Sequence, residues 1–403
     1  MARIGIFYHS DPAGGVPGGI DSIIRGILQW APPDLDYTLY GASSDPAARP
    51  LCQEVAIVLG GRTVRYVPLI HVDPNGDRGI VPNTVRYMHA LERAARAARL
   101  AALHVLDFHR IEPVWLFRRD RRPKNVILHQ DMSVIRKSTT DIKWRHLPWL
   151  YERLEGSLFG AVDRVFCVRE SAVARYAERY PQDVTKFSFM PTWVDTALFH
   201  PPRRDDGARR SSIRAQWQLP QAARLLIFVG RFDTQKDPLA LLAAFGRAAA
   251  RHEDLHLVMI GDGVLRAPIE ESIASAGLGS RVTLTGALGR EPIAELLRAA
   301  DLFVLSSVYE GMPIAVLEAL ASGLPVVSTD VGELRRVIRD GVNGRLCPCG
   351  PPETLTAAIT DALDGLEAMR GEPCEDSVLP YHPERVLAQI YANHRRQAQG
   401  AHA

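Results

Sequence analysis

The chain has 403 residues, 46% of them hydrophobic, which is enough apolar material for two domains with separate cores. Its formal net charge of +2 points to neither a nucleic acid nor any other strongly charged partner. The five scattered cysteines lack zinc or redox spacing, MARIGIFYHS does not read as a secretory leader, and no run approaches the roughly 20 apolar residues of a membrane span.

Strand-length apolar runs begin at once. RIGIFYH (3–9), DYTLYGA (36–42), RYVPL (65–69), LHVLDFH (103–109), NVILHQ (125–130) and RVFCVR (164–169) are predicted strands. Helical patterns lie between them, notably over 83–101 and 146–160. The Pro-rich, charged stretch HPPRRDDGARRSS (200–212) marks a domain boundary. Beyond it, LLIFVG (225–230) is a buried-strand pattern, and Asp237-Pro238 reads as N-cap and first helical residue of LALLAAFGRAAA. Strands at 255–261, 281–286, 302–307 and 325–330 then alternate with helices near 264–276, over 291–299 and from Pro313. A weak strand near Arg345 and an amphipathic segment at 383–398 follow. Such alternation predicts two α/β domains in series, each with a parallel sheet covered on both faces.

Ligands of open parallel sheets bind beyond the carboxyl ends of the strands, so the strand-to-helix loops are where chemistry is expected. The richest is in YEGMPIAVLEALASGLPVV (309–327). Glu310 lies in the loop and Glu318 on the helix, with free helix-start N–H groups that suit an anionic ligand. Eight helical residues span about 12 Å, whereas paired glycosidase carboxyls stand roughly 5–9.5 Å apart. Two grips on one elongated ligand fit that spacing better than an acid and a nucleophile. Val316, Leu317 and Leu320 surround Glu318 in sequence, and an unpaired carboxylate among them is costly unless it serves a function.

Loop GRFDTQKD (230–237) places Arg231 and Lys236 ahead of a helix, suited to a diphosphate or to an exposed basic pair. SDPAGGVPGGI (10–20) follows the first strand, and its glycines, Gly18 and Gly19 included, let phosphate approach backbone N–H groups. Its spacing is not that of a nicotinamide fingerprint. His109 and His129-Gln130-Asp131 end two strands, with no spacing for a metal. Arg118, Arg119, Arg121, Arg122 and Lys124 follow Trp115-Leu116-Phe117, a cluster that suits anionic lipid headgroups or a solvated turn.

The glutamate motif, DVGE (330–333), DGVNG (340–344), the GRFDTQKD loop, GDG (261–263) and PTWVDTALFHP (191–201) together resemble the retaining glycosyltransferases of family 4. The resemblance covers nearly the whole chain and is strongest over 225–346. It implies the GT-B fold, two facing Rossmann-like domains with a cleft between them. Residues 1–200 would bind the acceptor, 213–380 the donor, and 381–403 would form a helix that crosses back to the N-terminal domain. It implies a sugar transfer from a nucleotide-diphosphate sugar, UDP first and GDP next, to a saccharide or lipid-linked acceptor. No cofactor or metal is expected, nor a nucleic-acid partner. The protein is expected in the cytoplasm with reduced thiols, with peripheral membrane contact as an option.

By the same resemblance Glu310 would contact the donor sugar, Glu318 the ribose, and Gly311 and Met312 would offer backbone N–H groups. Arg231 and Lys236 would neutralise the diphosphate. Ala287 and Leu288 would hold the base, and Gly18-Gly19 would close over the phosphates. His129 would lie near the reacting carbon, and Asp131 beside it would bind substrate. A nucleotide-sugar epimerase, another GT-B enzyme such as a phosphorylase, and a non-catalytic nucleotide-sugar sensor are the alternatives.

Overall fold

The structure, a computed structural model, describes residues 1–14, 19–73, 81–129, 148–202 and 207–400. The chain divides into two compact units, Met1–Pro191 with Pro383–Ala403, and Thr192–His382.

The first unit holds an eight-stranded sheet of β1 (Ala2–Phe7), β2 (Leu35–Ser43), β3 (Val55–Leu59), β4 (Arg62–His71), β5 (Val105–Phe108), β6 (Lys124–Leu128), β7 (Arg164–Cys167) and β8 (Phe187–Phe189). Its order is β3-β4-β2-β1-β5-β6-β7-β8. Among the described strands only β3 runs antiparallel, paired with β4 across Gly60-Gly61. β3 and β8 were not among the predicted strands. The first is an edge strand with alternating exposure, and the second has three residues.

The second unit holds β9 (Arg224–Val229), β10 (Leu255–Ile260), β11 (Val282–Gly286), β12 (Leu302–Leu305), β13 (Val326–Thr329) and β14 (Gly344–Cys347), all parallel. Their order is β11-β10-β9-β12-β13-β14. β10, β12 and β13 are buried on both faces, as a helix-covered parallel sheet requires. Phe228, Phe245, Phe303 and Leu317 lie at the centre of its core.

Each unit winds outward one way from its first strand and then the other. The switch falls between β1 and β5 in the first unit and between β9 and β12 in the second, where the loops above the two strands diverge and open a crevice.

The boundary expected at 200–212 lies elsewhere. Thr192–Pro202 belongs to the second unit, held by the Val194 N–H on Tyr381 O (3.0 Å) and by Phe199 in the core. The expected linker also overlaps a helix, Gly207–Gln216. A buried guanidinium organises it: Arg214 donates to the Ala299, Gln221 and Ala223 carbonyls and pairs with Asp301 at 2.9 Å. Arg210 and Arg370 join Asp301 at 2.6 and 2.7 Å.

The helix Pro383–Gly400 packs on the first unit. Asn393 and Gln397 bond Asn125 of β6, Tyr391 donates to Ile27 O, and His394 sits fully buried between Tyr37 (2.8 Å) and Asp107 (3.3 Å).

Candidate active site

The second unit's crevice brings together two loops that are far apart in sequence. The loop after β9 carries Arg231 and Lys236, and the loop after β12 carries Glu310. They are tied by the Val308 N–H on Gln235 O (2.8 Å) and by the Ser306 hydroxyl on the carbonyls of Lys236 and Asp237 (2.8 and 2.9 Å). Lys236 Nζ lies 2.6 Å from Glu310 Oε1, in a pair whose side chains are 15% and 9% exposed. Ser307 Oγ donates to the same oxygen at 2.8 Å, and Gln235 approaches the other at 3.5 Å. Arg231 is not part of this pair. Its exposed guanidinium meets Asp233 at 3.0 Å and Gln235 at 3.2 Å.

Asp237 caps the helix Pro238–Ala249, accepting from the Ala240 N–H at 3.2 Å. Pro313, expected as a first helical residue, is instead the extended residue before the helix Ile314–Ala321. Glu318 is half-buried on that helix, with no hydrogen bond or ion pair to its carboxylate among the described residues. Burial is the main cause that pushes its carboxyl up to about 7. The Arg290 guanidinium opposes this and the Asp195 carboxylate adds to it. Arg290 and Asp195 pair at 3.4 Å.

Sequence reasoning missed Ser307, Gln235, Arg290 and Asp195. Arg290 opens the helix Arg290–Ala299, with Gly289 between it and the Ala287-Leu288 loop, where Ala287 is exposed and Leu288 partly buried. Thr192 donates to Met312 O at 3.3 Å, so Met312 is buried and its carbonyl is already engaged.

Two glycines hold the loops in register. Gly261 (φ +150°) lies against the turn after β9, where a Cβ would stand 1.9 Å from Gly230 O. Gly332 (φ +60°) is pressed on the Glu310-Gly311 backbone, where a Cβ would stand 2.1 Å from Gly311 O. Gly332→Ala is expected to cost about 1–3 kcal/mol and to shift the Glu310 loop, read as a lower urea midpoint together with weaker nucleotide binding. Loss of neither would mean the loop does not depend on this contact. A pocket of about 260 Å³ opens beside the same loop, lined by Ser306, Ser307, Thr329, Cys349 and Thr354 among others.

In the first unit the chemistry gathers beyond β1, β5 and β6. His109 Nδ1 lies 3.0 Å from His129 Nε2, and the rings stack at 5.2 Å. Burial lowers His109 well below the ordinary range, His129 to about 3 and His9 to about 4, with Arg110 adding to the last two. All three rings are therefore neutral near pH 7. Asp11 anchors the start of the glycine-rich loop through Ser44 (2.6 and 2.7 Å) and Arg49 (2.8 Å). Gly19 opens the helix Gly19–Gln29, while Gly18 and Asp131 lie outside the described residues. In the basic cluster only Arg118, Arg119 and Arg121 are exposed. Arg122 pairs with Asp120, and Lys124 is buried on the Asp120 and Arg122 carbonyls.

Among the described residues no group of three or more His, Cys, Asp or Glu side chains could hold a metal ion, and no helix is long and apolar enough to cross a membrane.

Two doubly wound parallel-sheet units with loop-borne polar groups at a switch point define the GT-B class of α/β proteins. The sucrose-phosphate synthase structure from Thermosynechococcus elongatus superposes with TM-score 0.81 at 21% identity, covering 99% of this chain and 100% of that one. The Anabaena protein HepE in complex with UDP-glucose gives 0.73 at 15% identity, covering 98% and 100%. Residues 209–370 match the family model described as glycosyl transferases group 1. The D-inositol 3-phosphate glycosyltransferase of Segniliparus rotundus is 29% identical over 220 residues, which are 54% of this chain and 48% of that protein. The chain spans about half the length of the curated relatives it matches.

Proposed function

We propose that this protein is a retaining glycosyltransferase. It takes a sugar from a nucleotide-diphosphate sugar, UDP-linked in the first reading and GDP-linked in the second, and passes it to a saccharide or lipid-linked acceptor without a metal or cofactor. The observation that carries this is the Lys236–Glu310 pair at the β9/β12 switch point, with Glu318, unpaired among the described residues, on the helix that follows. UDP-glucose in HepE supports the choice of UDP.

On this reading Glu310 binds sugar hydroxyls and Glu318 the ribose. Gly311 and Met312 offer N–H groups, and Ala287 and Leu288 hold the base. Breaking the bond between the anomeric carbon and the phosphate leaves negative charge on the diphosphate, which Lys236 and Arg231 stabilise as it develops. The acceptor oxygen bonds the same carbon from the leaving-group face, and its proton passes to the departing phosphate. The first unit receives the acceptor, with His129 and Asp131 among the residues that bind it and the Gly18-Gly19 loop suited to phosphate.

The protein works in the cytoplasm. Exposed Trp115, with the Arg118 guanidinium 4.2 Å from its ring centroid, and Arg119 and Arg121 nearby support contact with anionic headgroups.

The test is thermal shift with UDP, GDP, ADP and TDP, with and without EDTA, followed by a transfer assay. One nucleotide is expected to raise Tm in an EDTA-independent way and to lose its effect in Glu318→Ala. No stabilisation by any of them would overturn the site. Conversion of donor without acceptor would favour the epimerase, and tight donor binding with no turnover the sensor.

A further inference from the structure

We propose that His109 is a positioning residue for His129: its Nδ1–H donates to His129 Nε2 and so keeps the proton of the His129 ring on Nδ1. The two nitrogens are 3.0 Å apart, and neighbouring neutral imidazoles must share one proton, one ring donating and the other accepting. His109 is buried and His129 half-buried, both rings are neutral, and the 15° angle between them aligns their planes.

The direction of the bond follows from the other nitrogen of His109. His109 is 2% exposed, and its Nε2 is buried with no hydrogen-bond partner among the described residues. Were His129 the donor, His109 would carry its proton on Nε2, burying an N–H that nothing accepts. Orphaned buried N–H groups are rare and costly, more so than an unfilled acceptor lone pair. The arrangement that avoids one puts the proton of His109 on Nδ1, pointed at His129.

The backbone makes this geometry repeatable. His109 and His129 each follow directly on adjacent parallel strands, β5 and β6, which register Phe108 against Val126. The His109 N–H is tied in turn to Phe7 O of β1 (3.3 Å).

The consequence rests on the glycosyltransferase reading above. With Nε2 already accepting, His129 has no free basic nitrogen and one donor, Nδ1–H. It serves the transfer as a hydrogen-bond donor to an oxygen of the sugar or acceptor, not as a base, in keeping with a reaction whose proton goes to the leaving phosphate.

The experiment is a long-range ¹H–¹⁵N correlation on the full ¹⁵N-histidine-labelled protein, with His129 assigned by loss of its signals in His129→Gln. We expect a protonated Nδ1 and a bare Nε2. A proton on Nε2 of His129 in the wild type overturns the proposal whatever the His109 variants do. His109→Phe keeps an aromatic ring but removes the donor. It should move the proton of His129 toward Nε2 and lower kcat at least tenfold, with KM for the donor within about twofold. In His109→Asn the side-chain amide N–H takes the place of Nδ1–H, and kcat should recover to within about threefold of wild type. A purely structural role would show no such recovery, because asparagine lacks the ring. An unchanged tautomer and kcat in His109→Phe would also overturn the proposal. Nucleotide-induced thermal shift of the wild type separates the two readings: its absence removes the transferase assignment and leaves the tautomer result standing.

Discussion

Lys236→Met is expected to lower stability and transfer together, and adding Glu310→Gln to restore stability alone. The lysine is the only cation on Glu310 among the described residues, at 2.6 Å. Without it a carboxylate at 9% side-chain exposure keeps only the Ser307 hydroxyl and a long contact to Gln235. Breaking one side of a buried pair costs about 3–5 kcal/mol. The lower end applies here, because both side chains retain some contact with solvent. In the double variant neither charge remains, methionine fills the lysine stem's place, and stability should return to within about 1 kcal/mol of wild type. Transfer should stay down by at least ~100-fold, because the leaving diphosphate has lost a preorganised cation. Urea unfolding and a transfer assay on the three proteins decide it. A single variant as stable as wild type would show the pair contributes nothing to the fold, and a double variant with full transfer would remove Lys236 and Glu310 from the chemistry.

Glu318 yields the second large effect, in its pH dependence. Its carboxyl is raised from 4.5 to about 7 in the folded chain. Between those values the folded state holds a proton that the unfolded state has released, so stability falls as pH rises through this window. The loss is at most about 3 kcal/mol. Glu318→Gln should flatten that slope and make the protein more stable than wild type at pH 8. Ribose hydroxyls donating to this group favour its ionised form. Nucleotide binding should therefore tighten about tenfold between pH 6 and pH 8 and release a proton near pH 6. Calorimetry in two buffers of different ionisation heat reads both, and Glu318→Gln should show neither. Tighter binding at pH 6 than at pH 8 would remove the ribose contact.

What the sequence disclosed follows from which forces act locally. β10, β12 and β13 are apolar on both faces, so LHLVMI, LFVL and VVST announce themselves. Asp237-Pro238 is local capping chemistry and lies where its residue types place it. The helix Gly207–Gln216 has few apolar positions and is held by Arg214 on Asp301, 87 residues away, which no local pattern encodes. β3 left a signal that went unread, the Gly60-Gly61 dipeptide between two short apolar runs. In the site, the motif residues were legible one by one, but their pairing was not. Lys236 meets Glu310 because β9 lies beside β12, although β10 and β11 separate them in sequence. The same holds for Arg290 and Asp195 around Glu318, and for His109 against His129.

The return of Pro383–Gly400 to the first unit bears on how the chain is made. That unit is interrupted by the whole of Thr192–His382. At roughly 5–20 residues per second, synthesis of this stretch takes about 10–40 s. Through that interval Asn125, which is fully buried in the finished protein, and Asp107 wait without Asn393, Gln397 and His394. The second unit has all its parts on the ribosome before the first does. The half of the protein that starts to emerge first is thus the last to close, with polar core groups that a chaperone or a misplaced segment can reach until the final helix docks.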